Sequence, residues 1–418
     1  MTRRLTVVGL GYIGLPTAAV FAEAGFVVAG VDVNPEAVDA INDGRAHIFE
    51  PGLDQLVKEV VTSGALTASL EPVCADSFII AVPTPFKGEH EPDLSYVKAA
   101  SEAIAPLLQP GNLIVLESTS PIDATELVAQ WIGELRPDLA MPASGEAGDI
   151  AIAYCPERVL PGQILDEIRN NDRLLGGLSS MCAQKAVNLY GEVATGKCHT
   201  TTARTAELAK LSENAFRDVN IAFANELSVI ADRYEIDVRE LIGLANLHPR
   251  VNILQPGPGV GGHCIAVDPW FIVHADPDAA LLMKQARLTN DAKPAWVVDK
   301  VLAAIDSVGA KTVACFGLAY KPDIDDLRES PAVAVVRQLS AKSNVRLIVV
   351  EPNIDDLPRQ LEGLDIEFAS TDFALQQASI VVFLVGHNEF ANLNAEALGG
   401  AVVVDPVGIV DMIEQASK

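Results

Sequence analysis

The sequence predicts an α/β chain of two Rossmann-like, doubly wound parallel-sheet domains joined by a central helical domain. Three observations predict it. Short β-rich runs alternate with helix-length segments through the first third; a long stretch poor in Gly and Pro follows from about residue 201 to 247; and the alternation resumes after Asp299. The first α/β part has its strands at residues 5–8, 27–31, 78–82 and 113–116, with a further strand-like run at 150–154. The helical middle breaks at the turn-rich segment 248–262. The last part has strands at 312–316, 345–350, 380–385 and 401–404. Boundaries are placed at 1–200, 201–298 and 299–418. No short-period repeat and no low-complexity tail interrupts this order.

Length and charge exclude several function classes. At about 150 residues per domain, 418 residues correspond to two or three domains with cores of their own. Thirty Lys and Arg against 56 Asp and Glu give a net charge of -26, which opposes non-specific attraction to nucleic acid or to an anionic membrane. Any anionic ligand must therefore meet a local basic site. No run approaches the apolar length of a membrane span, and the start MTRRLTVVGLGYIG is broken by glycines too early for a signal peptide, so a cytoplasmic location is expected. The six cysteines form no CxxC pair, which argues against a disulfide framework and against a zinc or other metal site. Cys74, Cys155 and Cys315 lie in or beside apolar runs and are expected to act as small hydrophobes.

The first chemical signal is Gly9-Leu10-Gly11-Tyr12-Ile13-Gly14, which follows the strand 5–8 and opens the amphipathic stretch 15–24. Glycines in that place permit a tight turn, close backbone approach to a pyrophosphate and helix-on-strand packing, while the helix start supplies donors and positive dipole. Strand 27–31 then ends in Asp32, whose carboxylate would accept hydrogen bonds from ribose hydroxyls and repel a 2′-phosphate, favouring NAD over NADP.

The second signal is the loop Gln255-Pro-Gly-Pro-Gly-Val-Gly-Gly-His-Cys264, whose glycines let backbone approach a ligand. Its thiol reads either as a nucleophile or as a buried group in a tight turn. Lys210, Asn214 and Arg217 recur at i, i+4 and i+7 and share one helix face, opposite an apolar stripe of Leu208, Leu211, Ala215 and Val219; such a face is ordinarily solvated. Ser118-Thr119 and Pro156-Glu157-Arg158 stand at the carboxyl ends of predicted strands, where open α/β sheets bind ligands, although either also suits a cap or turn.

Together with Glu50-Pro51-Gly52-Leu53, Val82-Pro83-Thr84-Pro85, Pro161-Gly162, Asp268 and Tyr320-Lys321 with Arg328, these motifs make the chain resemble, over essentially its whole length, the UDP-glucose/GDP-mannose dehydrogenase family. Its members oxidise the C6 hydroxyl of a nucleotide sugar to a carboxylate. His263 before the cysteine, where many UDP-glucose and GDP-mannose enzymes have serine, resembles the branch acting on N-acetylated amino sugars. The longer string GPGVGGHCIAVDPWF narrows the resemblance, implying UDP-N-acetyl-D-mannosamine as substrate and a uronic acid for surface polysaccharides as product. UDP-N-acetylglucosamine and UDP-glucose are the alternatives.

The resemblance also implies roles. Removing four electrons takes two NAD molecules in turn while the aldehyde stays tethered, through a thiohemiacetal and then a thioester on Cys264. Lys210 would transfer the proton and stabilise oxyanions, helped by Asn214; Glu157, with Thr119 and Asp268, would position or activate the hydrolytic water. Arg158, Arg217, Arg250 and Lys321 would meet the UDP-sugar, with Val159, His248, Gly261 and Tyr320 supplying shape; Lys210 and Asn214 touch it as well. NAD would meet the three glycines, Tyr12, Ile13, Asp32, Thr84, Thr119 and Arg328. In the family Arg250 reaches a neighbouring subunit, so a homodimer is expected. One departure stands out: the family commonly has Arg or Lys after the last strand, where this chain has Val407. Two other classes compete. A hydroxyacid-type dehydrogenase would make one NADH without needing Cys264, and a non-catalytic NAD or nucleotide-sugar sensor would bind without turnover.

Overall fold

The computed structural model describes residues 3–88, 90–143, 146–262 and 264–416, and the chain divides into two compact units, Met1–Glu213 and Asn214–Lys418. In the first unit the strands are β1 (Arg4–Val8), β2 (Val27–Val31), β3 (Leu66–Ser69), β4 (Ser77–Ile80), β5 (Phe86–Lys87), β6 (Glu91–Pro92), β7 (Leu113–Leu116), β8 (Ala151–Tyr154), β9 (Arg173–Gly177) and β10 (Cys198–Thr202). Eight of them form one sheet in the order β10-β9-β8-β7-β4-β1-β2-β3, while β5 and β6 pair as a short hairpin. Every pairing in the large sheet is parallel except β8 with β9. All four residues of β7 and of β8 are buried, which is why these strands read as unbroken apolar runs: helices cover both faces. Strand order reverses between β1 and β4, and their carboxyl ends form the crevice in which such sheets take ligands.

The second unit has β11 (Thr312–Phe316), β12 (Arg346–Val350), β13 (Ile366–Phe368), β14 (Ile380–Phe383) and β15 (Val402–Val404), an all-parallel sheet in the order β13-β12-β11-β14-β15. Ahead of it come most of the long helix Ala203–Arg233, then helices Val238–Ala245, Asp268–Ala275 and Leu281–Val308. The last of these runs across the expected boundary at 298/299.

Two expectations are corrected. Cys74 is exposed on the loop between β3 and β4, because that loop leaves the sheet before the residue is reached; Cys155 and Cys315 are buried, and burial pushes both thiols up to about 12. On helix Ala203–Arg233 the buried face is not the expected stripe: Leu208 is exposed, whereas Glu207, Lys210, Asn214 and Asp218 are buried alongside Leu211 and Ala215. The polar residues accept burial because the neighbouring elements offer them partners, for example the Asp123 and Thr125 amides that donate to the Glu207 carboxylate at 2.8 Å each. Arg217, the third member of the expected polar face, is exposed.

Candidate active site

The turn after β1 is built as the spacing predicts. Gly9 has φ +92°, and a Cβ there would fall 2.5 Å from the Ala81 carbonyl oxygen beyond β4; a Cβ on Gly14 would fall 1.8 Å from the Gly9 oxygen. Both glycines are thus required by packing. Gly11 differs: a Cβ there would meet nothing within 4 Å, so its missing side chain opens space at the start of helix Gly14–Glu23. No side chain caps that helix and its first turn carries no acid, which leaves its amides and dipole for an anion. Asp32 accepts hydrogen bonds from the Leu10 and Asn34 amides at 2.9 Å each, fixing its carboxylate beside the turn. This cradle fits a dinucleotide pyrophosphate and ribose.

Neighbouring loops are stitched to it. Thr84 donates its hydroxyl to the Thr119 carbonyl at 2.5 Å, and Ser118 donates to Val82 at 2.7 Å, so the loops after β4 and β7 act as one wall. Glu50 is buried and accepts from the Gly162 and Ile164 amides at 2.8 Å each, which gives its motif a positioning role for the loop 161–164. After β8, Glu157 accepts from the Arg158 amide at 2.8 Å and from Arg173 at 3.2 Å in a buried ion pair. Arg158 in turn pairs with Glu213 at 2.9 Å.

In the second unit Asn214 donates to Asp268 at 2.6 Å, both side chains buried, and the Asp268 amide donates to the Cys264 carbonyl at 2.9 Å. Cys264 therefore sits, half-buried, on the turn that feeds helix Asp268–Ala275. Lys210 lies one turn before Asn214 on the same helix and is also buried. Gly261 and Gly262 pack on Tyr320, whose side chain would be 2.8 Å from a Cβ on either. Burial, and then the negative charge at Asp326 and Cys264, push the Tyr320 hydroxyl upward. The Gly262 amide donates to the Arg328 carbonyl at 3.0 Å, and the Arg328 side chain pairs with Asp326. His263 lies outside the described residues. His248, Arg250 and Lys321 are exposed, and Val159 is half-buried.

Four residues escaped the sequence reading. Glu117, Arg173 and Tyr190 form a buried cluster behind Glu157, and Arg239 brings a cation to the 405–408 loop where Val407 has none. Its Nη2 donates to the Asp405 carbonyl at 3.3 Å, and its guanidinium occupies the space of a Cβ on Gly408.

Three domain descriptions of one family match in order: the UDP-glucose/GDP-mannose dehydrogenase family NAD binding domain over residues 3–194, its central domain over 204–292 and its UDP binding domain over 314–413. The chain belongs to the UDP-glucose/GDP-mannose dehydrogenase family. Among relatives of known description, a UDP-N-acetyl-D-mannosamine dehydrogenase of Yersinia pestis is 56% identical over 414 residues, covering 97% of this chain and 98% of the relative. An NDP-N-acetyl-D-galactosaminuronic acid dehydrogenase of Ralstonia nicotianae is 54% identical, covering 97% and 96%. The solved structure of UDP-D-ManNAc dehydrogenase from Pyrococcus horikoshii superposes with a TM-score of 0.87 at 37% identity, covering 97% of this chain and 96% of that one. As in the rest of this dehydrogenase family, the cofactor is NAD. Among the described residues no helix is long and apolar enough to cross a membrane, and no cluster of three or more His, Cys, Asp or Glu is placed to hold a metal ion.

Proposed function

We propose that this chain oxidises the C6 hydroxyl of UDP-N-acetyl-D-mannosamine to the carboxylate of UDP-N-acetyl-D-mannosaminuronate, in the cytoplasm, with two NAD consumed per sugar. The observation that carries this reading is the near full-length likeness to the Yersinia pestis enzyme, reinforced by Cys264 at the end of a glycine-rich loop. NAD, when bound, takes up one hydride in each of two steps. Lys210 holds the proton leaving the C6 hydroxyl and, with Asn214 oriented by Asp268, stabilises negative charge on oxygen. Cys264 Sγ bonds to the aldehyde carbon as a thiohemiacetal; loss of the second hydride leaves a thioester. Water then breaks the C–S bond, giving carboxylate and thiol, with Glu157 taking a proton from that water and Thr119 and Asp268 holding it.

NAD binding falls to Gly9, Gly11, Tyr12, Ile13, Gly14, Asp32, Thr84, Thr119 and Arg328. UDP-sugar binding falls to Arg158, Val159, Lys210, Asn214, Arg217, His248, Arg250, Gly261, Tyr320 and Lys321. The three-part division at 200/201 and 298/299 belongs to the same reading. So does a homodimer: Phe216, Phe223 and Ile230 recur along one side of helix Ala203–Arg233 and are exposed, as is Tyr234 just past its end, an apolar stripe suited to a second copy.

Gly14→Ala tests the nucleotide turn. Its Cβ has no room beside the Gly9 carbonyl, and overpacking of about 1–3 kcal/mol translates into roughly tenfold or greater weakening of NAD binding, read by calorimetric titration.

The reaction itself is tested by NADH stoichiometry on four sugars side by side: UDP-N-acetylmannosamine, UDP-N-acetylglucosamine, UDP-N-acetylgalactosamine and UDP-glucose. Two NADH per UDP-N-acetylmannosamine, at the highest kcat/KM of the four, is expected. Preference for the galacto sugar would favour the reading suggested by the Ralstonia nicotianae relative. One NADH per sugar would remove the four-electron mechanism.

A further inference from the structure

Behind Glu157 lies a cluster that the reaction just described does not use. Strands β7 and β8 are parallel neighbours with Leu116 opposite Tyr154, so the residues just past their carboxyl ends fall side by side. Glu117 is one of them, and it is buried. Its Oε1 accepts from the Tyr190 hydroxyl at 2.8 Å and its Oε2 from the Thr17 hydroxyl at 3.2 Å. Arg173, from β9, lies 4.8 Å over the Tyr190 ring, approaches the Cys155 sulfur at 3.7 Å and pairs with Glu157 at 3.2 Å. Its Nε finds no acceptor among the described residues, so a full set of bonds does not lock the guanidinium.

We propose that Glu117 is a positioning residue for the hydrolytic half-reaction: through Arg173, the charge on its carboxyl sets how firmly Glu157 is held and hence how freely it can meet the attacking water. This rests on the reading of Glu157 as the base of that step.

The charge accounting supports it. Around Glu117 stand Glu157 and Cys155 past the end of β8, Arg173 on β9, Tyr190 on helix Ser180–Tyr190 and the uncharged Thr17 on the helix that follows the nucleotide turn. Burial keeps the Cys155 thiol and, foremost among several causes, the Tyr190 hydroxyl protonated. That leaves two carboxyls and one guanidinium, hence one excess negative charge in a dry site whenever both acids are ionised. Burial first, and the Glu157 charge second, push the Glu117 carboxyl up to about 7, against the pull of Arg173, Tyr190 and Thr17. With Glu117 neutral, the Arg173 guanidinium has Glu157 as its one ionised partner in the cluster and holds that carboxylate firmly. With Glu117 ionised, the guanidinium is shared between two carboxylates and Glu157 is freer to turn toward the water. Hydrolysis is then faster on the alkaline side of the Glu117 titration.

The experiment is a kcat profile from pH 5.5 to 9 on the full-length enzyme, for wild type, Glu117→Gln, Tyr190→Phe and Glu157→Gln, with KM for both substrates and the thermal midpoint of each. Wild type should rise through an inflection near 7. Gln at 117 can accept from the Tyr190 hydroxyl through its carbonyl and donate its amide to the Thr17 hydroxyl, but cannot titrate, so Glu117→Gln should lose the inflection and fall about 3–10-fold at pH 8, with KM values unchanged. Tyr190→Phe removes a bond that favours the charged carboxylate and should move the inflection upward. An unaltered inflection in Glu117→Gln, whatever its thermal midpoint, overturns the inference while Glu157→Gln stays inactive. Full two-NADH turnover by Glu157→Gln instead overturns the reading of Glu157 beneath it.

Discussion

Cys264→Ala should lose activity by on the order of 10⁴-fold or more, with an unfolding midpoint close to that of wild type. Alanine keeps the backbone bond that closes the turn, from the Asp268 amide to the Cys264 carbonyl, and removes a single half-buried sulfur. The chemistry depends on that sulfur. A hydride can leave an alcohol without covalent help, but an aldehyde must gain a substituent on carbon before it holds a second hydride to give up. Sulfur supplies that substituent and keeps the carbon bound between the two oxidations. Whatever oxidation survives in Cys264→Ala should therefore stop near one NADH per sugar, with the aldehyde released and open to trapping by hydroxylamine. Cys264→Ser, with a weaker nucleophile and a poorer leaving group, should accumulate an ester that adds the mass of the whole UDP-sugar acyl group to the protein. Two NADH per sugar from Cys264→Ala at a rate near wild type would sink the covalent mechanism and leave water as the nucleophile in both steps.

The parts of this architecture legible in the sequence share a physical cause. Strands β2, β7 and β11 appear at their expected bounds because they are mostly buried, largely apolar runs within parallel sheets, with only Val27 of β2 exposed. Strands β9 and β10 were not anticipated. The sequence RLLGG of β9 ends in two glycines that look like a breaker, yet a Cβ on Gly176 would lie 2.7 Å from the Ala206 side chain, so close helix packing is what demands glycine there. The sequence CHTTT of β10 is polar because that strand is the sheet edge. The nucleotide turn was legible because its requirements are local, a set of glycines at fixed spacing after a strand. Glu117 was illegible because its partners are distant: Thr17 is 100 residues away and Tyr190 is 73, and nothing in the string LESTS marks the glutamate as buried. The polar stripe of helix Ala203–Arg233 misled for a related reason. Amphipathic patterning assumes that the buried face is the apolar one, and this helix buries acids, amides and a lysine that find partners on other elements.

That stripe sets the second large effect, which is on stability. Asp218 and Arg287 are both buried, and Arg287 Nη1 donates to Asp218 Oδ1 at 2.6 Å, joining helix Ala203–Arg233 to helix Leu281–Val308. Asn290 donates to the same carboxylate at 2.8 Å, Asn225 donates to the Asn290 side-chain oxygen at 2.9 Å, and the Gly257 amide donates to the Asn225 side-chain oxygen at 2.9 Å. The network thus runs from an ion pair to the glycine-rich loop that carries Cys264. Burial holds the Asp218 carboxyl above its usual range even with Arg287 in place, so the pair is only partly compensated. Arg287→Met should therefore cost about 3–5 kcal/mol, because it strands a carboxylate in a dry site, and should be read as a lower urea midpoint with an unchanged m-value. The cost should shrink as pH falls, since protonating Asp218 removes the uncompensated charge. The double variant Asp218→Leu with Arg287→Met, which removes both charges, should recover most of the loss, while kcat stays depressed because Asn290 keeps only its 3.1 Å bond to the backbone carbonyl of residue 218 and the loop beyond Asn225 is less firmly held. Equal destabilisation in the single and double variants would assign the loss to packing of the arginine stem rather than to its charge.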